Sequence, residues 1–144
     1  MTTISQVLDR KGTAVLGIDE DATLHAAVQT MARHGIGSLA VRHGNTIIGI
    51  LSERDVVLRL ASHAGGVMVM AVRDAMHAIH TVEWNDEVRH AMTLMTDRQV
   101  RHLLVQRDGV TVGLVSIGDL VKDTIAEQEG AITRLHHYIT GQPD

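Results

Sequence analysis

Short apolar runs of strand length alternate along the chain with stretches in which apolar residues recur at helical spacing, and this order occurs twice. In the first copy, Val15 to Ile18 reads as a strand and Asp19-Glu20-Asp21 as an acidic turn suited to a helix N-terminus. Leu24, Ala27, Val28 and Met31 then lie on one face of a helix. Two strands follow, through Leu39 and Val41 and up to Gly49-Ile50-Leu51, joined by a turn at His43-Gly44-Asn45; a further helix starts at Ser52. The second copy reads Ile79 to Val82, then Glu83-Trp84-Asn85-Asp86, then a helix carrying Val88, Ala91, Met92 and Met95. Its strands run through Leu103 and Val105 and about the turn Asp108-Gly109, a tight hairpin dipeptide, with a helix from Ser116.

A single offset of 64, from Gly49 to Gly113, brings these apolar positions into register without a gap. Each copy is therefore a β-α-β-β-α unit, and the fold class is α/β (α+β). A three-stranded sheet leaves an apolar face open when alone, so the two copies are expected to pack as a pseudo-twofold pair. The expected organisation is an N-terminal helix over 1–12, a first repeat over 13–62, and a Gly/Ala/Met-rich linker with a short helix over 63–76. A second repeat over 77–126 and a C-terminal helix and tail over 127–144 complete it. Ile4, Val7 and Leu8 in the N-terminal helix match Val72, Ala75 and Met76 only loosely, at an offset of 68.

Composition narrows the function. The 144 residues contain no cysteine, which removes disulfides, thiolate metal sites and cysteine nucleophiles. The net charge of −4 comes without a Lys/Arg stripe, and one Trp, one Tyr and no Phe offer no stacking platform, so nucleic acid is not an expected partner. No apolar run is long enough to span a bilayer, and no basic region followed by an apolar stretch marks a signal peptide at the N-terminus. No membrane partner and a cytoplasmic location are expected.

The duplicated unit, with Gly-Ile-Leu-Ser-Glu-Arg-Asp (49–55) and Gly-Leu-Val-Ser-Ile-Gly-Asp (113–119), resembles a pair of cystathionine-β-synthase (CBS) domains, a Bateman module. Val100-Arg101-His102-Leu103 and Val72-Arg73-Asp74-Ala75-Met76 carry the resemblance further, over about residues 4–126. It implies a stand-alone regulatory module that binds AMP, ADP, ATP or a related adenosyl ligand in clefts between the repeats. Such modules regulate an enzyme or a transporter, and no cofactor is obligatory.

The resemblance assigns Asp55 and Asp119 to the ribose hydroxyls, and Ser52 and Ser116 to ribose or phosphate. The chemistry suits these roles: a carboxylate accepts two hydroxyl protons, and a helix N-terminus favours an anion. Val15, Ile18, Ile79 and Val82 would wall the adenine. Ser-x-x-Asp is equally a helix capping box, and the two roles are compatible. The copies differ where phosphate would lie. The second has Arg101 and His102, and the first has Gly37 and Ser38 at the matched positions. Arg54 in the first copy is either a phosphate contact or a solvated arginine, and Gly118 replaces it in the second. Either Arg54 and Arg101 serve one ligand, or one site alone is used.

The ten histidines are scattered, with only His77-x-x-His80 and His136-His137 close together, so no metal site is expected. The methionines Met31, Met92 and Met95 fall on core faces as gap-fillers. Beyond the second copy, Ile125, Ile132, Leu135 and Ile139 form a heptad-like stripe interrupted by Gly130. The stripe either lies back on its own body or packs on a second subunit; the ending Tyr138-Ile139-Thr140-Gly141 resembles the tails of stand-alone CBS pairs, many of them homodimers. A homodimer is expected. No catalytic constellation has a supporting frame, so no enzymatic activity is expected. The alternative to a nucleotide sensor is a protein-interaction module with unoccupied clefts, in which Asp55 and Asp119 only cap helices.

Overall fold

Alternation and helical spacing resolve into five α-helices and two three-stranded sheets in the computed structural model, which describes residues 2–63 and 65–140. In chain order, α1 (Ile4–Lys11) precedes β1 (Gly17–Asp19), α2 (Leu24–His34), β2 (Ser38–His43), β3 (Thr46–Ser52) and α3 (Glu53–Ser62). Two 3-10 turns (Val67–Val69 and Val72–Asp74) lead to β4 (His80–Glu83), α4 (Val88–Arg98), β5 (His102–Arg107), β6 (Val110–Ser116) and α5 (Ile117–Thr140). In each sheet the middle strand pairs in parallel with the first strand and antiparallel with the third.

The offset of 64 holds at the level of individual backbone features. Both hairpins shift register at the same place, Val41/Arg42 and Val105/Gln106. Helices α2 and α4 both end on a left-handed residue, Gly35 at φ +62 and Gln99 at φ +55, whose N–H groups return to carbonyls of the last turn. The hairpin tips sit in left-handed backbone at Gly44 (φ +61) and Asp108 (φ +51).

Two units divide the chain, Ala14–Ile79 and Met1–Thr13 together with His80–Asp144. The segment that precedes each repeat in sequence is therefore built into the other unit. In the first unit Val72 N donates to Ala22 O (2.8 Å) and Arg73 N to Glu20 O (3.0 Å), with a bridge between Thr23 and Ala71. In the second, Ile4 N donates to Asp86 O (2.8 Å) and Ser5 N to Trp84 O (2.8 Å), with a bridge between Thr3 and Glu87. These bonds correspond at 64 on one side and 68 on the other, which is why the segments before the strands match under a different offset.

Each unit has its own core. Leu24, Ala27, Met31, Leu39, Val41, Leu51 and Val72 fill one; Ile4, Val88, Met95, Leu103, Val105, Val115 and Leu120 fill the other. Burying each such side chain contributes about 1.5–3 kcal/mol, which holds the segments 2–13 and 67–76 on their sheets. The methionines expected in the cores are there: Met31 and Met95 are buried, and Met92 packs against its core from the edge.

Two boundaries differ from expectation. The first strands start later than Val15 and Ile79. Val15 O is taken by the Arg42 guanidinium (2.9 Å) rather than by the strand ladder, so β1 begins at Gly17. The C-terminal helix is not separate, because α5 runs unbroken from Ile117 through Gly130 to Thr140. A penalty of about 1 kcal/mol for an interior glycine does not end a helix with good formers on both sides. Gly141 and the rest of the expected tail, 141–144, lie outside the described residues.

Candidate functional site

Both copies of the Ser-x-x-Asp motif form at a strand-to-helix junction, and each is closed by a basic side chain from the segment that precedes the other repeat. In the first unit, β3 ends as Ser52 caps α3. Ser52 Oγ accepts from Asp55 N (3.3 Å), while Asp55 Oδ2 accepts from Ser52 N (2.8 Å) and Ser52 Oγ (3.0 Å). An Nδ1–H of His77 donates to the same Oδ2 at 2.8 Å. His77 is placed there by two backbone bonds with Ile50. The Asp55 side chain is only 13% exposed.

In the second unit, Ser116 Oγ accepts from Asp119 N (3.1 Å), and Asp119 Oδ2 accepts from Ser116 N (2.8 Å). Lys11, at the end of α1, donates to Asp119 Oδ2 (2.7 Å) and to Leu114 O (2.7 Å). Partial burial works to raise the Asp119 carboxyl. The Lys11 and Ser116 hydrogen bonds and the Lys11 charge outweigh it, and the carboxyl lies below its ordinary 3.8. Next to this pair, Arg10 forms an ion pair with Asp123, which is buried one turn further along α5 and whose Oδ2 has no partner among the described residues. In both motifs only Oδ2 is engaged; among the described residues Oδ1 of Asp55 and of Asp119 accepts no hydrogen bond.

The matched strand residues face the caps. Ser38 pairs with Ser52 and His102 with Ser116 across the hairpins. One residue earlier, Gly37 O accepts from Glu53 N (2.9 Å) and Arg101 O from Ile117 N (2.8 Å), so positions 37 and 101 border the helix N-termini. The Glu53 side chain fills the place that a Cβ on Gly37 would occupy. Arg54 and Arg101 are both exposed, and neither side chain makes a hydrogen bond or ion pair among the described residues. Of the apolar positions expected to wall adenine, Val82 is 4% exposed and lies in the core of its unit, and Ile18 packs against the core of the other. Val15 and Ile79 lie just before the strands and are half-buried.

Sequence reasoning singled out the caps and missed three side chains beside them: Lys11, His77 and Glu53. The first two reach the site because the preceding segments are exchanged between the units. The only linear trace of that exchange is the offset of 68 beside the offset of 64. Among the described residues, no three His, Asp or Glu side chains gather as a metal site, and no helix is long and apolar enough to cross a membrane.

The duplicated fold matches a known family. The CBS domain family matches residues 4–62 and again 72–124. A CBS domain-containing protein of Arabidopsis thaliana, named CBSX3, mitochondrial, is 34% identical over 97% of this chain and 73% of its own length. The crystal structure of a CBS-domain containing protein from Agrobacterium tumefaciens superposes with a TM-score of 0.80 at 32% identity, covering 84% of this chain and 92% of that one. The CBS domain of a bacterial CNNM/CorC family Mg2+ transporter, solved in complex with ATP, shares the fold at a TM-score of 0.72 and 18% identity over 86% of this chain and 87% of that one.

Proposed function

The chain belongs to the CBS-domain family, and from that premise we propose that it is a non-catalytic sensor that binds an adenine nucleotide through its Ser-x-x-Asp caps. The observation that carries the reading is the repeated cap itself. Twice, a carboxylate at the first turn of a helix has one oxygen fixed by the serine backbone, while the other, which accepts no hydrogen bond among the described residues, suits ribose hydroxyls. That a domain of the same fold is solved with ATP makes adenine nucleotides the ligand class to test first.

The second unit is the better phosphate site. Exposed Arg101 borders the N-terminus of α5, where a cation and a helix dipole act together on an anion. In the first unit the same position holds Gly37, and the acidic Glu53 side chain leans over it. Val15 and Ile79 remain the apolar positions available to adenine. The readout goes to a regulated enzyme or transporter, and the compartment is the cytoplasm, which cell fractionation checks.

Calorimetry and thermal unfolding with AMP, ADP, ATP, NAD and S-adenosylmethionine test the proposal. A ligand at 100 times its dissociation constant stabilises the fold by about 2.7 kcal/mol. Asp119→Ala should weaken binding more than Asp55→Ala, and Arg101→Ala should weaken ATP more than adenosine. Full binding by the Asp55→Ala/Asp119→Ala double variant rules out the ribose assignment.

A second reading has its own observation. Both carboxylates already cap a helix and pair with a base, His77 or Lys11, so each has a complete structural role without ligand. If none of the five compounds shifts the melting temperature, the module acts through protein contacts alone.

A further inference from the structure

We infer that the groove between α4 and α5 is a binding site for a linear aliphatic polyamine. The groove lies within the second unit and shares no residue with the Ser-x-x-Asp caps. Its volume of about 460 Å³ falls within the roughly 300–1,000 Å³ usual for small-molecule sites. One wall is α4, the other is formed by Thr124 and Glu127 of α5, and Thr2 of the N-terminal segment closes one end.

The hydrogen-bonding character of the walls selects a cation. Thr93 Oγ1 donates to Arg89 O (3.1 Å), Thr96 Oγ1 to Met92 O (3.0 Å) and Thr124 Oγ1 to Leu120 O (2.9 Å), so these hydroxyl protons are spent on the helices that carry them. The Thr2 hydroxyl donates to Glu127 Oε2 (2.7 Å). What remains for a ligand is a set of oxygen lone pairs. Glu87, Asp97 and Glu127 add three carboxylates to the lining, and the exposed side chains of Glu87 and Asp97 make no hydrogen bond or ion pair among the described residues. Against these stands one cation, Arg89, which leaves the lining with a formal charge of −2. Such a groove repels a phosphate. Among the described residues it also gathers no three acidic or imidazole groups that could hold a metal ion.

The charges are set apart along the groove, with an apolar floor between them. Val88 N donates to Thr2 O (2.9 Å), and Thr2 holds Glu127, so Glu127 stands with Glu87 at the N-terminal end of α4. Asp97 lies in the last turn of α4, about 15 Å further along the axis at a rise of 1.5 Å per residue. Between them are buried Val88 and half-buried Met92, whose Sδ is 3.8 Å from Thr124 Oγ1. An ammonium group at each end of a methylene chain matches both features. The methylenes cover Val88 and Met92, and each ammonium offers three N–H donors to the carboxylate and hydroxyl oxygens at its end. A single ammonium or guanidinium satisfies one end only.

Calorimetry on the full chain, without nucleotide, tests the site with spermine, decamethylenediamine, putrescine and decylamine. Spermine and decamethylenediamine should bind. Putrescine carries the same charge as decamethylenediamine on a shorter chain, and decylamine carries the same chain with one ammonium. Each should bind about fivefold more weakly than decamethylenediamine, the loss of one ion pair. Glu87→Gln/Asp97→Asn should weaken decamethylenediamine about tenfold with unchanged circular dichroism, since both side chains are exposed and Glu87 makes no side-chain cap bond. Arg89→Gln removes the competing cation and should tighten binding about threefold. Glu129→Gln, on α5 but outside the groove, changes net charge alone and should leave binding as it is. Absence of binding by both long amines overturns the assignment. So does equal affinity for decamethylenediamine and decylamine, or a loss in Glu129→Gln as large as in the double variant.

Discussion

The two copies share a backbone almost feature for feature and differ in what stands around the same carboxylate. Asp55 is held by an imidazole from an extended bridge, and Asp119 by a lysine at the end of a helix. Glu53 covers the place beside one cap, and Arg101, exposed and without an ion pair among the described residues, stands beside the other. Duplication preserved the elements that make each unit fold, namely the hairpin bulge, the left-handed helix end and the glycine that lets the preceding segment approach. The charged residues around the caps were left to diverge. Fold and site chemistry thus rest on separate sets of positions, and substitutions at matched positions should expose where the two units are not equivalent.

The largest asymmetry is expected at the matched glycines. A Cβ on Gly49 would stand 2.8 Å from the His77 carbonyl oxygen and 2.9 Å from Met76 Sδ. That carbonyl accepts from Ile50 N at 3.0 Å and has no room to retreat without losing the bridge that also positions His77. At Gly113 the nearest atom, at 2.8 Å, is Cδ2 of Leu8, the far end of a flexible side chain. Gly49→Ala should therefore destabilise by about 1–3 kcal/mol, and Gly113→Ala by less than about 1. Urea unfolding of the two variants measures this directly, and equal losses would show that the two approaches are alike after all.

Much of this molecule was legible in advance, for identifiable reasons. Short apolar runs and stretches of period 3.6 placed the sheets and helices, and the constant offset established the duplication before any contact was known. The caps were legible because Ser52 and Asp55 are three residues apart, a spacing that local geometry converts into a contact. Lys11 and Asp119 are 108 residues apart, and no local rule links them. Val82 was taken as a wall because its strand is apolar, yet pattern alone does not say which face of a short strand is covered; the structure puts it in the core. Gly130 read as an interruption, although a single glycine weakens a helix without ending it.

A smaller effect is expected at the helix ends. Position 35 carries glycine at φ +62, and its counterpart, position 99, carries glutamine at φ +55. A side chain in left-handed backbone costs about 1 kcal/mol, so the second unit tolerates a strain that the first avoids. Gln99→Gly should raise stability by about 0.5–1 kcal/mol, and Gly35→Gln should lower it by a similar amount. Thermal unfolding of both variants sharpens the comparison, and stabilisation by both would contradict the backbone assignment.

The smallest effect is the most specific, because it separates the two carboxylates by their partners. The Asp119 carboxyl lies below 3.8 in the folded chain. A carboxyl depressed on folding contributes stability that is fully present above its unfolded value and is lost as pH falls through the folded one. The Lys11–Asp119 pair is partly exposed, with 32% and 25% of its side chains accessible, so screening keeps its contribution within the range of about 0.2–1 kcal/mol usual for surface pairs. Lys11→Met removes both the hydrogen bond and the charge while keeping the stem. It should lower stability at pH 7, and the difference from wild type should shrink as pH falls below the ordinary carboxyl range and through the lower folded value of Asp119. High salt should shrink it as well. Urea titrations at pH 7 and pH 3 check the window. A difference that persists undiminished at pH 3 would mean that Lys11 acts through its second bond, to Leu114 O, and that the clamp on α1 does not depend on the carboxylate at all.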